Sequence, residues 1–417
     1  MPAKDADGNV LTGEALLARF TALDAFLTTY QALWKPRPFT HLRLPWETAY
    51  PELAQWLRRR SLEEAENDHH QPWLVEQAPA PFPQLAALSR ELGTVAQLPG
   101  KVLDAAPHRL DVDVPGRKWQ QIEAFASRLR FATEPSHWLD WCAGKGHLGR
   151  RLLHGSQRLT CLEHDPALVA SGEQLSQRHH LPAVHLRQDV LAEDARQAIL
   201  AEHTPVALHA CGDLHVRLMQ LASAAHCAQL AVAPCCYNRI SAEHYQPLSD
   251  AAKASALHLS LDDLSLPLAE TVTAGARVRR QRDQSMAWRL GFDLLQRQVR
   301  NRDDYLPTPS LPTAWLEKSF AQYCIDLAAL KDLSTVGSPD WFALEAAGQR
   351  RLAEVRNLEL VRGLFRRPLE LWLVLDRALF LTQGGYEVHL GTFCETSLTP
   401  RNLMLVAERC KDATACG

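Results

Sequence analysis

Several things are missing from this chain, and each absence closes a class of function. No apolar run approaches the roughly 18 residues a bilayer span requires, so membrane-embedded roles fall away. The opening MPAKDADGNVLTGE lacks the basic-then-apolar pattern of a secretory leader, which predicts a soluble, cytoplasmic protein. Strong charge of either sign is also missing. The 45 Lys and Arg against 48 Asp and Glu leave a formal charge of −3, which excludes a generally basic nucleic-acid coat but not a local basic cleft. The 10 cysteines show no framework spacing, which predicts reduced thiols and not disulfides. What is present, 46% hydrophobic residues over 417 positions, suffices for two or three domains with buried cores.

The informative stretch runs from Trp138 to Gly149. An apolar run ends in Asp140, passes into a loop with Gly144 and Gly146, and opens an amphipathic segment at His147. This reads as strand, turn and helix start, in which glycines let backbone lie against a ligand. Two ligands compete for it. Gly144-x-Gly146-x-x-Gly149, with Glu163 downstream, satisfies a dinucleotide fingerprint. S-adenosylmethionine (SAM) is the rival, and an acid at the strand end suits its cation while repelling a pyrophosphate. That places Asp140, Cys142, Ala143, Gly144, Lys145, Gly146, His147 and Leu148 on the cofactor list.

The pattern then alternates as a parallel sheet requires. Strands are predicted in RLTCLE ending at Glu163, VHLRQDV ending near Asp189, PVALHACGD, and AQLAVAPCCYN. Ligands of such sheets sit beyond the strands' carboxyl ends. Glu163 with His164 suits ribose hydroxyls, and Asp189 with Gln188 and Val190 suits an adenine amino group. His209, Ala210 and Cys211 line the fourth strand end, and Lys118 sits on the preceding helix. Candidates for the acceptor side are His209, Asp213, Cys236, Tyr237 and Asn238. If the last strand, in PRNLMLVAER, runs antiparallel, Arg401 and Asn402 join that edge. Adjacent Cys235 and Cys236, with Cys211 and His209, could suggest zinc, but neighbouring strand residues point to opposite faces, so no metal is expected.

The flanks read as helical. Residues 1–110 form a helical region, 111–250 the first part of the core, 251–369 an arginine-rich helical insertion and 370–417 the closing helix and strand pair. Arg277, Arg279, Arg280 and Arg282, with Arg362, Arg366 and Arg367, form a candidate phosphate-binding surface.

With these residues in place, the chain resembles a class I methyltransferase family. That family includes the methyltransferase-like protein twenty-five group, the glutathione-transferase-C-terminal-domain-containing protein and the eukaryotic tRNA acceptor-stem 2′-O-methyltransferase. DWCAGKGHLGRRL, LHACGDLH and APCCYN carry the resemblance, with LVLDRALFL and SLTPRNLMLVA towards the end. It implies a Rossmann-like sheet with a reversed last strand, SAM as cofactor, and RNA, tRNA or rRNA, as acceptor. Protein is the alternative acceptor. A SAM-binding or RNA-associated module without turnover, and a nicotinamide enzyme, are the other readings. The entry helix departs from the family, with Pro-Gly-Arg-Lys where Ser-Pro-Lys-Lys is usual, and no zinc-finger module is present, so the substrate does not transfer directly.

Overall fold

The computed structural model describes residues 9–269, 276–333 and 339–410, in two compact units. The first unit takes Met1–Thr28, Leu92–Val272 and Arg367–Gly417, and the second Thr29–Glu91 and Thr273–Arg366. These cuts fall elsewhere than the sequence boundaries. The early helical region is divided between the units because periodicity shows that a helix has a buried face, not which core receives it.

Seven strands form the sheet of the first unit: β1 His137–Trp141, β2 Arg158–Glu163, β3 Ala183–Arg187, β4 His203–Ala207, β5 Gln229–Val232, β6 Tyr386–Thr392 and β7 Leu403–Arg409. Their spatial order is β3-β2-β1-β4-β5-β7-β6. β1 to β5 are parallel, and β7 runs antiparallel to both β5 and β6. All residues of β1, β4 and β5 are buried, as central parallel strands covered on both faces should be. The edge strand β3 instead leaves Val184 and Leu186 exposed. Several strands stop short of the predicted ends. β5 ends at Val232, so APCCYN is loop, and β4 ends at Ala207, so HACGD is loop.

One cluster packs the face of the sheet under the helix Gly116–Arg128, through Ile122 and Phe125 against Trp138, Leu159, Val206 and Val406. The helix after β2 starts cleanly, with the Asp165 carboxylate accepting from Ala167 N at 2.8 Å and Pro166 in its first turn.

The second unit is helical. Its long helices Ala276–Arg300 and Trp341–Gly363 cross closely, and a Cβ on Gly348 would stand 2.5 Å from the Ala287 carbonyl. Trp288, Phe292, Phe320 and Tyr323 pack beside them. No helix among the described residues is long and apolar enough to cross a membrane. Eight described cysteines are free, but Cys410 is disulfide-bonded, which corrects the expectation of reduced thiols throughout.

Candidate active site

The glycine turn is held by backbone donors to two carboxylates. Gly149 N donates to Asp140 Oδ2 at 2.9 Å, and Gly144 N donates to Glu163 Oε2 at 2.8 Å. Ala143 N reaches the Leu162 carbonyl at 2.9 Å, tying the turn to β2. From below, the buried Arg150 donates to the Lys145 carbonyl at 2.5 Å and to His147 Nδ1 at 3.1 Å. Cys142, Gly144 and Gly146 have φ of +56°, +57° and +74°, the left-handed region in which only glycine is at ease. At Gly146 a Cβ would also meet His185 Cε1 at 2.7 Å, whereas at Gly144 it would meet nothing within 4 Å. The turn is thus closed underneath and open at Gly144.

Burial pushes the Asp140 carboxyl up to about 6, against the opposing pull of the Gly149 amide, Arg150 and Lys118. Burial, with Arg150 and Lys118 adding, holds the His147 imidazole down at about 3, so it is neutral and accepts from Arg150. The Cys142 thiol is pushed up to about 12 by burial and then by Glu163, Asp140, Cys211 and Asp189. Asp140 and Glu163 thus hold the turn directly, and Asp189 and Cys211 act on its Cys142 by charge. Asp189 is exposed and accepts from Leu191 N at 3.0 Å, while half-buried Gln188 bridges the Asp189 carbonyl and Asp194. His164 is exposed, and Val190 and Leu148 are buried as floor beneath the turn.

On the acceptor side the structure separates what the sequence grouped. His209 is exposed just beyond the end of β4, and desolvation of its ring, then Lys118, lower its imidazole to about 4. Arg401 lies near enough to Cys236 to favour its thiolate, so β7 does begin at the carboxyl ends of the parallel strands. Cys211 Sγ is 3.5 Å from Cys235 Sγ. Hydrogen bonding from Cys235 lowers the Cys236 thiol against the opposing effect of burial, while its donor Cys235 is raised.

Three candidates are structural instead. Tyr237 is fully buried, with Oη 3.4 Å from Glu370, so it cannot stack on an acceptor. Asn402 is buried and donates to the Cys394 carbonyl at 2.6 Å, bracing the β6–β7 hairpin. Asp213 accepts from Ser241 N at 2.7 Å, a loop tie. Asn238, half-buried, donates to Ser265 Oγ at 3.3 Å. Beside Lys118, Arg117 is held by backbone. Its guanidinium donates to the Leu398 and Ser397 carbonyls at 2.9 and 2.5 Å.

Sequence reasoning missed a buried polar network behind the site. Arg377 donates to His215 Nε2 at 2.7 Å and to Tyr245 Oη at 3.0 Å, and Tyr245 donates to Asp376 at 2.6 Å. With Nε2 accepting, His215 Nδ1 carries the proton and donates to the Ala210 carbonyl at 3.0 Å, bracing the wall beside Cys211. The signal was Asp376-Arg377 inside the otherwise apolar LVLDRALFL, since a buried charge needs partners.

The arginine surface divides as well. Arg277, Arg279, Arg280 and Arg282 are exposed in the first turns of their helix. Arg362 and Arg366 are buried, donating to the Trp34 carbonyl and the His69 carbonyl at 2.7 Å each. Arg367 pairs with Glu370 at 2.7 Å. These three are engaged within the fold, Arg362 and Arg366 buried and Arg367 half-buried.

A seven-stranded sheet with a reversed β7, and a glycine turn tied to strand-end acids, make a Rossmann-like fold of the class I methyltransferase type. In agreement, the family model described as a methyltransferase domain matches residues 117–243. No curated protein matches the chain in sequence. Among solved structures it is similar to the plantazolicin methyltransferase BamL bound to a desmethylPZN analogue and SAH, at 14% identity and a TM-score of 0.22 over 41% of this chain. The chain spans 57% of the length of that protein. Coclaurine N-methyltransferase, bound to N-methylheliamine and SAH, shows 12% identity and a TM-score of 0.26 over 94% of each chain. The METTL16 methyltransferase domain shows 13% and 0.20 over 46% of this chain and 80% of its own.

Proposed function

We propose that this protein transfers the methyl group of SAM to an RNA acceptor, tRNA or rRNA, within the family that its HACGD and PCCY motifs resemble. One observation carries the SAM part: Asp140 and Glu163, from two strand ends, both hold the backbone of a turn that is open at Gly144. Glu163 takes the ribose hydroxyls, Asp189 the adenine amino group, and Asp140 places negative charge beneath the sulfonium. When bound, the cofactor supplies an electrophilic methyl for in-line displacement, so the chain's main task is to hold nucleophile and methyl carbon about 3–3.5 Å apart. His209 is neutral at physiological pH and can accept a hydroxyl proton, although a base lowered to about 4 is a weak one.

The acceptor reading rests on Arg277, Arg279, Arg280 and Arg282 at the start of their helix, which suit phosphate oxygens, together with the resemblance. Calorimetry with SAM and with NAD tests the cofactor: SAM binds and NAD does not. Incubating the protein with methyl-labelled SAM and either unmodified RNA or a cell protein extract tests the acceptor. Label in tRNA or rRNA supports the reading, and label confined to protein overturns it.

A further inference from the structure

We propose that Cys211, Cys235 and Cys236 form a zinc site with three thiolate ligands, its fourth position left to solvent or acceptor. The three sulfurs lie within 4.8 Å of one another, and Cys211 and Cys235 are 3.5 Å apart. Tetrahedral zinc with Zn–S bonds of about 2.3 Å separates its sulfurs by about 3.8 Å, so the triangle needs only small adjustment. An all-sulfur donor set selects zinc or another soft ion over magnesium or calcium.

Neighbouring residues of a strand face opposite ways, but β5 ends at Val232 and the cysteine pair lies in the loop beyond it. Cys236 takes φ +45°, a strained value for a residue with a Cβ. That kink turns its thiol to the same side as Cys235 instead of the opposite face. Backbone hydrogen bonds then fix these loops. Gly212 N donates to the Cys235 carbonyl at 3.3 Å, Arg239 N to the Cys236 carbonyl at 2.9 Å and Asp213 N to the Arg239 carbonyl at 3.0 Å. Only glycine permits that closeness at 212, where a Cβ would fall 1.8 Å from the Arg239 carbonyl oxygen. Zinc with three thiolates carries one net negative charge, and Arg239 and Arg401 both stand near Cys236 to offset it. Cys211 also acts on Cys142 of the glycine turn, so the site borders the cofactor pocket. Three protein ligands with one open position is the arrangement of reactive zinc sites.

The test uses the full chain, purified in reducing buffer without chelator. Elemental analysis should find about one zinc per chain, and cobalt(II) added to the metal-free protein should give thiolate-to-cobalt charge-transfer bands with tetrahedral d–d intensity. Cys211→Ser, Cys235→Ser and Cys236→Ser should each weaken zinc binding about 10-fold or more, whereas Cys324→Ser, buried in the other unit, should not. Circular dichroism checks that the variants fold. If they do not, alkylation mapped by mass spectrometry on the unsubstituted chain replaces them, with zinc protecting these three thiols selectively. Cobalt spectra without charge-transfer bands, zinc retained by all three folded variants, or a Cys211–Cys235 disulfide that re-forms in the presence of zinc would overturn the site.

Discussion

Asp140 is asked to do two things that pull apart: to accept the Gly149 amide inside the protein and to stay charged for a cationic ligand. Burial raises its carboxyl from 3.8 to about 6. A folded value above the unfolded one means that folding takes up a proton. This group's contribution to stability is therefore full below about pH 3.8 and is lost as pH rises through about 6. Ligand binding runs the other way. SAM affinity should fall as pH drops below about 6, by up to about tenfold per unit, and Asp140→Asn should bind weakly with that dependence flattened. Calorimetry across pH reads both, and an unchanged profile in Asp140→Asn would remove Asp140 from the site. The glycines give a second contrast. Gly144→Ala, with open space above it, should cost about 1 kcal/mol of stability yet impair SAM binding, whereas Gly146→Ala should cost about 2 kcal/mol or more because its Cβ would strike His185 and Cys161. Denaturant melts paired with calorimetry separate the two.

Among the elements, the helix Arg366–Gln383 carries the part of the site's support that the sequence concealed. Arg377→Met should destabilise the first unit by about 2–3 kcal/mol, because it leaves buried His215 Nε2 without its donor and takes a hydrogen bond from Tyr245 Oη. Urea unfolding measures the loss, and a change under about 1 kcal/mol would mean the network is dispensable. What was legible follows the range of the interactions. The strand, turn and helix at Asp140 are written in neighbouring residues, since glycine and apolar spacing act locally, and the acids at the strand ends could be read from the βα alternation. The burial of Tyr237 could not, because it depends on Glu370 and Arg377, which lie far along the chain on another helix. Nor could the shared orientation of Cys235 and Cys236, which follows from a kink at φ +45° that no composition rule anticipates.

At the scale of the molecule, the sequence set out helical flanks but not their membership. The segments 29–91 and 273–366 pack as one body although the core's strands lie between them in the chain. Sequence also overstated the basic surface, since Arg362, Arg366 and Arg367 meet carbonyls and a carboxylate. Binding to bulk tRNA should weaken steeply with salt, and charge reversal at Arg279 and Arg282 should reduce the log–log slope by about one for each phosphate they would otherwise neutralise. Filter binding across a salt series reads it, and an unaltered slope would show that RNA does not meet this helix.

The last strand made is not the last strand of the sheet. β7 slots between β5 and β6, so until residue 409 has left the ribosome both of those strands present bare edges of unpaired amides and carbonyls. A chain cut before Leu403 therefore has no complete, smaller fold to settle into, and its bare edges are open to pairing with other strands.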